Sequence, residues 1–141
     1  MERSPELEAF VRQMGDALAA SDMAALEEML SRVDGSVMIG SDAAEYYRDV
    51  DGMLRMTREA MPAQSQVTLH MDDTRGYAEG DVGWFDGMGR FEQGTESVAL
   101  RLTGVAHKED GQWRFVQAHA SIGVPNEQMF DPMFQRETVA T

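Results

Sequence analysis

The chain has 141 residues, 25 acidic against 12 basic, a net charge of −13 and no cysteine. That length suits one domain that buries about 70% of its unfolded surface, and the missing thiols exclude disulfides, thiolate metal sites and a cysteine nucleophile. The acidic balance, with no offsetting Lys/Arg cluster, repels phosphate backbones and anionic lipid, which argues against nucleic-acid and membrane partners.

The opening MERSPELEAF is charged and lacks the apolar segment of a secretory signal. No apolar run approaches the roughly 20 residues that span a bilayer, so a cytoplasmic location is expected. Pro5 to Ala19 predicts a helix: Ser4 stands at the cap, Pro5 at the first helical position, and Glu6 and Glu8 at the positive end of the dipole. Leu7, Phe10, Val11, Met14 and Leu18 form its apolar stripe. Ser21 or Asp22 caps a second helix to about Ser31, with Leu26, Met29 and Leu30 facing in. Ser36 to Gly40 predicts a short strand, and Gly-Ser-Asp-Ala-Ala a loop or single turn. Asp51 to Met61 returns to helical spacing through Met53, Leu54, Met56 and Met61, and Pro62 is expected to stop it.

The second half changes period. Gln66 to Tyr77, Asp81 to Phe91, Glu96 to Lys108 and Gln112 to Gly123 are rich in β-branched and aromatic residues. Glu79-Gly80, Gln93-Gly94 and Asp110-Gly111 separate them, and Asp-Gly between two such runs signals a hairpin. Helices followed by an antiparallel meander predict an α+β fold. Pro125 ends the last strand.

Three stretches resemble the SnoaL-like family of the nuclear transport factor 2-like superfamily. IGSDAAEYY, Ile39 to Tyr47, is similar to the family's loop of Gly, Thr or Ser, Asp, two residues, Glu and two aromatics. GDVGWF, Gly80 to Phe85, is the second, and RLTGVAHKEDGQWRFVQAHASIGVPNE, Arg101 to Glu127, resembles the closing hairpin. Asp49 departs from the pattern, standing where the family often has glycine. The resemblance covers nearly the whole chain, and residues 1–130 are read as the domain and 131–141 as a C-terminal tail. It implies a cone-shaped fold in which N-terminal helices pack on a curved antiparallel or mixed sheet. It also implies a pocket at the wide end and a homodimer through the sheet's outer face. It implies no single activity, because relatives include polyketide cyclases, ketosteroid isomerases, epoxide hydrolases, dehydratases and non-catalytic association domains.

Turns set the expected register. Asp110-Gly111 as a two-residue loop puts Glu109 opposite Gln112, and then Leu102 opposite His119. A turn centred on Gln93-Gly94 puts Asp86 opposite Arg101 and Trp84 opposite Thr103. Alternation then gives one face Trp84, Asp86, Arg101, Thr103, Val116, Ala118 and Ala120, and the other Phe85, Leu100, Leu102, Trp113, Phe115, Gln117, His119 and Ser121. The first suits a pocket floor. A bulge at Gly104 would instead bring Arg101 and Thr103 to the side of His119.

Asp86 and His119 are the candidate proton carriers. His119 is a candidate general base, since histidine is the side chain that ordinarily titrates near neutral pH, or else a structural histidine or dimer contact. Asp86 abstracts a proton if desolvation raises its pKa, or forms a structural ion pair with Arg101. Arg101 is also a candidate for binding a carboxylate or phenolate, and Trp84, Tyr46 and Tyr47 for lining the pocket. The three histidines are scattered without metal-ligand spacing, and neither a P-loop nor a dinucleotide fingerprint occurs, so no metal and no cofactor are expected. Two functions fit: a pocket for a small hydrophobic molecule with cofactor-free acid/base chemistry (isomerase, cyclase or hydrolase type), or a non-catalytic dimeric ligand-binding or association module.

Overall fold

A computed structural model describes residues 1–64 and 67–132. Helix α1 spans Pro5–Ala19, and the Ser4 hydroxyl accepts from the Leu7 N–H at 3.2 Å. Leu7 and Val11 are fully buried on its inner stripe. Helix α2, Met23–Glu28, is capped by Asp22 and is shorter than expected. The chain leaves it to bond with the sheet: the Phe115 N–H donates to the Met29 carbonyl at 2.7 Å, and the Ser31 N–H donates to the Phe115 carbonyl at 2.9 Å. Helix α3 covers Val50–Gln64. Asp49 caps it by accepting from the Gly52 N–H, which gives the aspartate in place of glycine a role. The helix runs past Pro62 instead of stopping there. A proline removes one N–H donor, and in the last turn that costs a single bond rather than breaking the helix in two. The side chains of Met56 and Met61, two positions of the expected helical spacing, and the tail beyond Pro132 lie outside the described residues.

Among the described residues seven strands form one sheet: β1 Glu2–Arg3, β2 Val37–Ile39, β3 Tyr46–Tyr47, β4 Val67–Glu79, β5 Val82–Gln93, β6 Glu96–Glu109 and β7 Gln112–Ser121. Their order is β1-β4-β5-β6-β7-β2-β3. The four long strands make the predicted antiparallel meander, and β2 lies parallel to β7, so the sheet is mixed. Helices occupy one face. Leu7, Phe10, Val11, Phe85, Leu102, Ala106, Trp113 and Phe115 fill the space between. Glu8 is a charge at the edge of this core: it accepts from Arg3 Nε at 2.8 Å and from the Gly76 N–H at 3.1 Å, fastening α1 to β4.

Two register expectations are corrected. Between β5 and β6 the loop is Gly94-Thr95, so Asp86 opposes Thr103 and Trp84 opposes Val105. A tight hairpin turn needs positive φ at its first central residue. Gly94 adopts +60°, a value glutamine at position 93 would reach only with strain. Between β6 and β7 the Asp110-Gly111 turn forms as expected, both residues at positive φ. A bulge then shifts the pairing between Val105 and Ala106, leaving Val116 as the extra residue. His119 therefore opposes Thr103, and Leu102 opposes Ala120. The bulge lies beside Gly104, on the partner strand, where a Cβ would run into the Gln117 carbonyl and the Phe85 ring.

Candidate functional site

One end of the space between helices and sheet is filled by Leu7, Val11, Ala106 and Trp113. The other end holds a cavity of about 180 Å³. Met14 and Leu18 of α1, Met29 just beyond α2 and Met53 and Leu54 of α3 wall it on the helix side. Phe91, Leu100, Leu102, Phe115, Ala118 and Ala120 wall it on the sheet side, with Met38 and Gly40 at one edge. Among the described lining residues Thr57 supplies the one polar side chain, and its hydroxyl donates to the Met53 carbonyl at 2.8 Å. The wall thus presents hydrocarbon and thioether, with small alanines on β7 where the bulge has turned them inward. A dry apolar cavity of about 150 Å³ holds benzene, so this one has room for a small ring or a short chain.

Four of the five expected site residues lie on the opposite face. Arg75, Asp86, Thr103 and His119 form one row across β4, β5, β6 and β7. Asp86 Oδ1 accepts from Arg75 Nη2 at 3.0 Å and Nε at 3.3 Å, so its ion-pair partner is Arg75 and not Arg101. That hydrogen bond and the charge behind it hold the Arg75 guanidinium above its ordinary range. His119 stands two strands from Asp86, about 10 Å at the usual strand spacing. Arg101 opposes Met88 and Ser121 and donates from Nε to Ser121 Oγ at 3.2 Å. Trp84, half-buried, stacks on Tyr77 with ring centroids 6.4 Å apart.

The expectation that Trp84, Asp86 and Arg101 share a face with Ala118 and Ala120 is thereby corrected. The bulge on β7 exchanges the two alanines with Gln117, His119 and Ser121, as alternation requires when one residue is inserted. Tyr47, the fifth, sits on the inner side, half-buried against the core. Tyr46, its neighbour, is 53% exposed.

Sequence reasoning passed over Glu45. β2 and β3 pair Met38 with Tyr47 and Ile39 with Tyr46, and the Gly40 N–H donates to the Glu45 carbonyl at 2.8 Å. Gly40 and Glu45 thus face each other at the end of that pair, and Gly40 lines the cavity. The available signal was the four-residue loop of IGSDAAEYY, which places a glycine opposite a glutamate. No group of three or more histidine, aspartate or glutamate side chains that could hold a metal occurs among the described residues, and none of their helices is long and apolar enough to cross a membrane.

The SnoaL-like domain family matches residues 7–125. No curated protein matches the chain. Among solved structures, an NTF2-like protein of unknown function from Pseudomonas putida KT2440 is similar at 17% identity and TM-score 0.75, over 89% of this chain and 93% of that one. A Thiobacillus denitrificans protein, provisionally named a calcium/calmodulin-dependent protein kinase type II association domain, is similar at 21% identity and TM-score 0.73, over 85% and 97%. A Streptomyces avermitilis protein of the NTF2-like family, provisionally named a dehydratase, is similar at 13% identity and TM-score 0.72, over 85% and 96%. At these identities the likeness is one of fold, and the same fold carries both names.

Proposed function

This chain belongs to the SnoaL-like domain family, and from that premise we propose that it binds a small apolar molecule in the cavity between its helices and its sheet. The observation that carries the reading is the wall itself: a space of about 180 Å³ whose one polar side chain among the described residues, Thr57, already bonds to the backbone. An aqueous solute gains little there, whereas an apolar one removes surface from water on both sides at about 25 cal/mol per Å². Methionines from both helices and sheet let the wall adapt to shape.

The test is a thermal-shift screen of small hydrophobic rings and chains, with Ala120→Phe as the control that plugs the cavity. A ligand at about a hundred times its Kd adds roughly 2.7 kcal/mol, several degrees for a domain this size. Ala120→Phe should abolish the shift while the free protein melts no lower. A shift that survives the plug would place binding elsewhere and sink the reading.

A second reading rests on the outer face, where Trp84, Asp86, Arg101 and His119 share one surface and Val82 and Met88 are 46% and 49% exposed. Acid/base chemistry by Asp86 and His119 needs that face enclosed, and a second copy of the chain is the enclosure it favours. Tyr47, packed against the core on the inner side, takes no part in it. In this reading Asp86→Asn and His119→Ala alter dimerisation or turnover and leave cavity binding unchanged. Sedimentation showing only monomer at micromolar concentration would remove it.

A further inference from the structure

We infer that Glu45 is the polar determinant at the cavity's edge, and that it selects an apolar molecule ending in a hydrogen-bond donor, an alcohol or an amine. The inference rests on the cavity reading above and adds to it the class of head group. Residues opposite each other in an antiparallel pair project to the same face. Gly40 and Glu45 therefore project to the side of Met38 and Tyr47, which is the side of the cavity.

Steric detail supports this placement. A Cβ added at Gly40 would stand 2.7 Å from both Cβ and Cδ of Glu45. The carboxylate thus fills the volume that a side chain at position 40 would take, and position 40 lines the cavity. Glycine is required there by the carboxylate, not by a turn.

The carboxylate is also incompletely used. The Asp42 N–H donates to Oε2 at 3.1 Å, which fixes its orientation. Among the described residues no lysine or arginine pairs with it. Arg48, the nearest cation in sequence, lies over the ring of Tyr46, which projects to the other face. Among the described residues Oε1 accepts no hydrogen bond, and Gly40, against which the carboxylate packs, lines the cavity. A ligand hydroxyl or ammonium would satisfy it, whereas a ligand carboxylate would meet like charge in a chain of net charge −13.

Four matched probes test this: propylbenzene, phenylpropanol, phenylpropylamine and phenylpropanoate, titrated calorimetrically near physiological salt so that long-range attraction is screened. The alcohol and amine should bind at least about tenfold tighter than the carboxylate. Glu45→Gln keeps the acceptor for the Asp42 N–H and removes the charge, and should bring the amine and carboxylate to within about threefold of each other, with propylbenzene unchanged. Gly40→Ala displaces the carboxylate without altering net charge and should erase the same preference. If propylbenzene binds but the head-group order is flat in the natural protein, or persists in both variants, Glu45 is not the determinant. If none of the four binds, the cavity reading itself fails and this inference falls with it.

Discussion

The two faces of β5, β6 and β7 are built from alternate residues of the same strands, yet they do opposite things. The inner face carries Phe85, Leu100, Leu102, Trp113 and Phe115, each under 7% exposed. The outer face carries the row of Arg75, Asp86, Thr103 and His119, with Arg90 bridging Asp72 and Glu92 further along. What separates them is one inserted residue. Without Val116, the end of β7 would send Gln117, His119 and Ser121 inward and the alanines of the cavity wall outward. A polar surface and an apolar pocket are therefore assigned by a bulge, not by the composition of either strand.

Removing the bulge is the harshest test of that comparison. Deleting Val116 should force the end of β7 either to bury Gln117 and His119 or to abandon its pairing. Each buried polar group left unpartnered costs about 1–3 kcal/mol, and the alanine wall is lost as well. We expect loss of a cooperative melt by circular dichroism. A deletion variant that melted like the parent would show that the faces are not fixed by register.

Point substitutions on the two faces should differ nearly as much. Phe115 is 3% exposed and touches the rings of both Phe10 and Phe85. Phe115→Ala should cost about 3–5 kcal/mol in urea unfolding. Arg101→Ala, on the exposed side of the same sheet, should stay within about 0.5 kcal/mol. Equal costs would mean that the outer face is covered, as the dimer reading requires.

The same asymmetry explains what the sequence discloses. Helix α1 was legible to its ends, because Ser4 and Pro5 act within a few residues of where they stand. The four long strands were legible because alternation is local. Faces were legible for Phe85, Leu100, Leu102, Trp113 and Phe115, all of which point inward as expected. Past Val116 the sequence left two arrangements open, and the one with a bulge beside Gly104, which brings Arg101 and Thr103 to the side of His119, is the one that forms; the choice depends on crowding between Gly104, Phe85 and the Gln117 carbonyl, which are distant in sequence. For the same reason the site was sought at Asp86 and Arg101. The register that would join them is two residues from the one that forms, because the turn takes Gly94 as its first central residue. The setting of Glu45 is not legible in the sequence because it depends on β3, a strand of two residues that no period can reveal.

The smallest effect concerns the charge nearest the apolar side. Glu8 is 8% exposed, and the hydrogen bond from Arg3, followed by that from the Gly76 N–H, holds its carboxyl below the ordinary carboxylate range. A carboxyl whose folded pKa is lowered stabilises the fold above its unfolded value, about 4.3 for glutamate, and loses that contribution as pH falls through the folded value. Glu8→Gln still accepts from Gly76 but cannot pair in charge with Arg3. The parent should therefore exceed the variant in stability at neutral pH, and the gap should close on acidification below about pH 4. Urea melts at neutral and acid pH measure it. The outer pair of Arg75 and Asp86, about half exposed on each side chain, should contribute less at neutral pH, as Asp86→Asn would measure, because water already screens it. A gap at Glu8 that does not change with pH would mean that the clamp acts through its shape and its backbone bond rather than its charge.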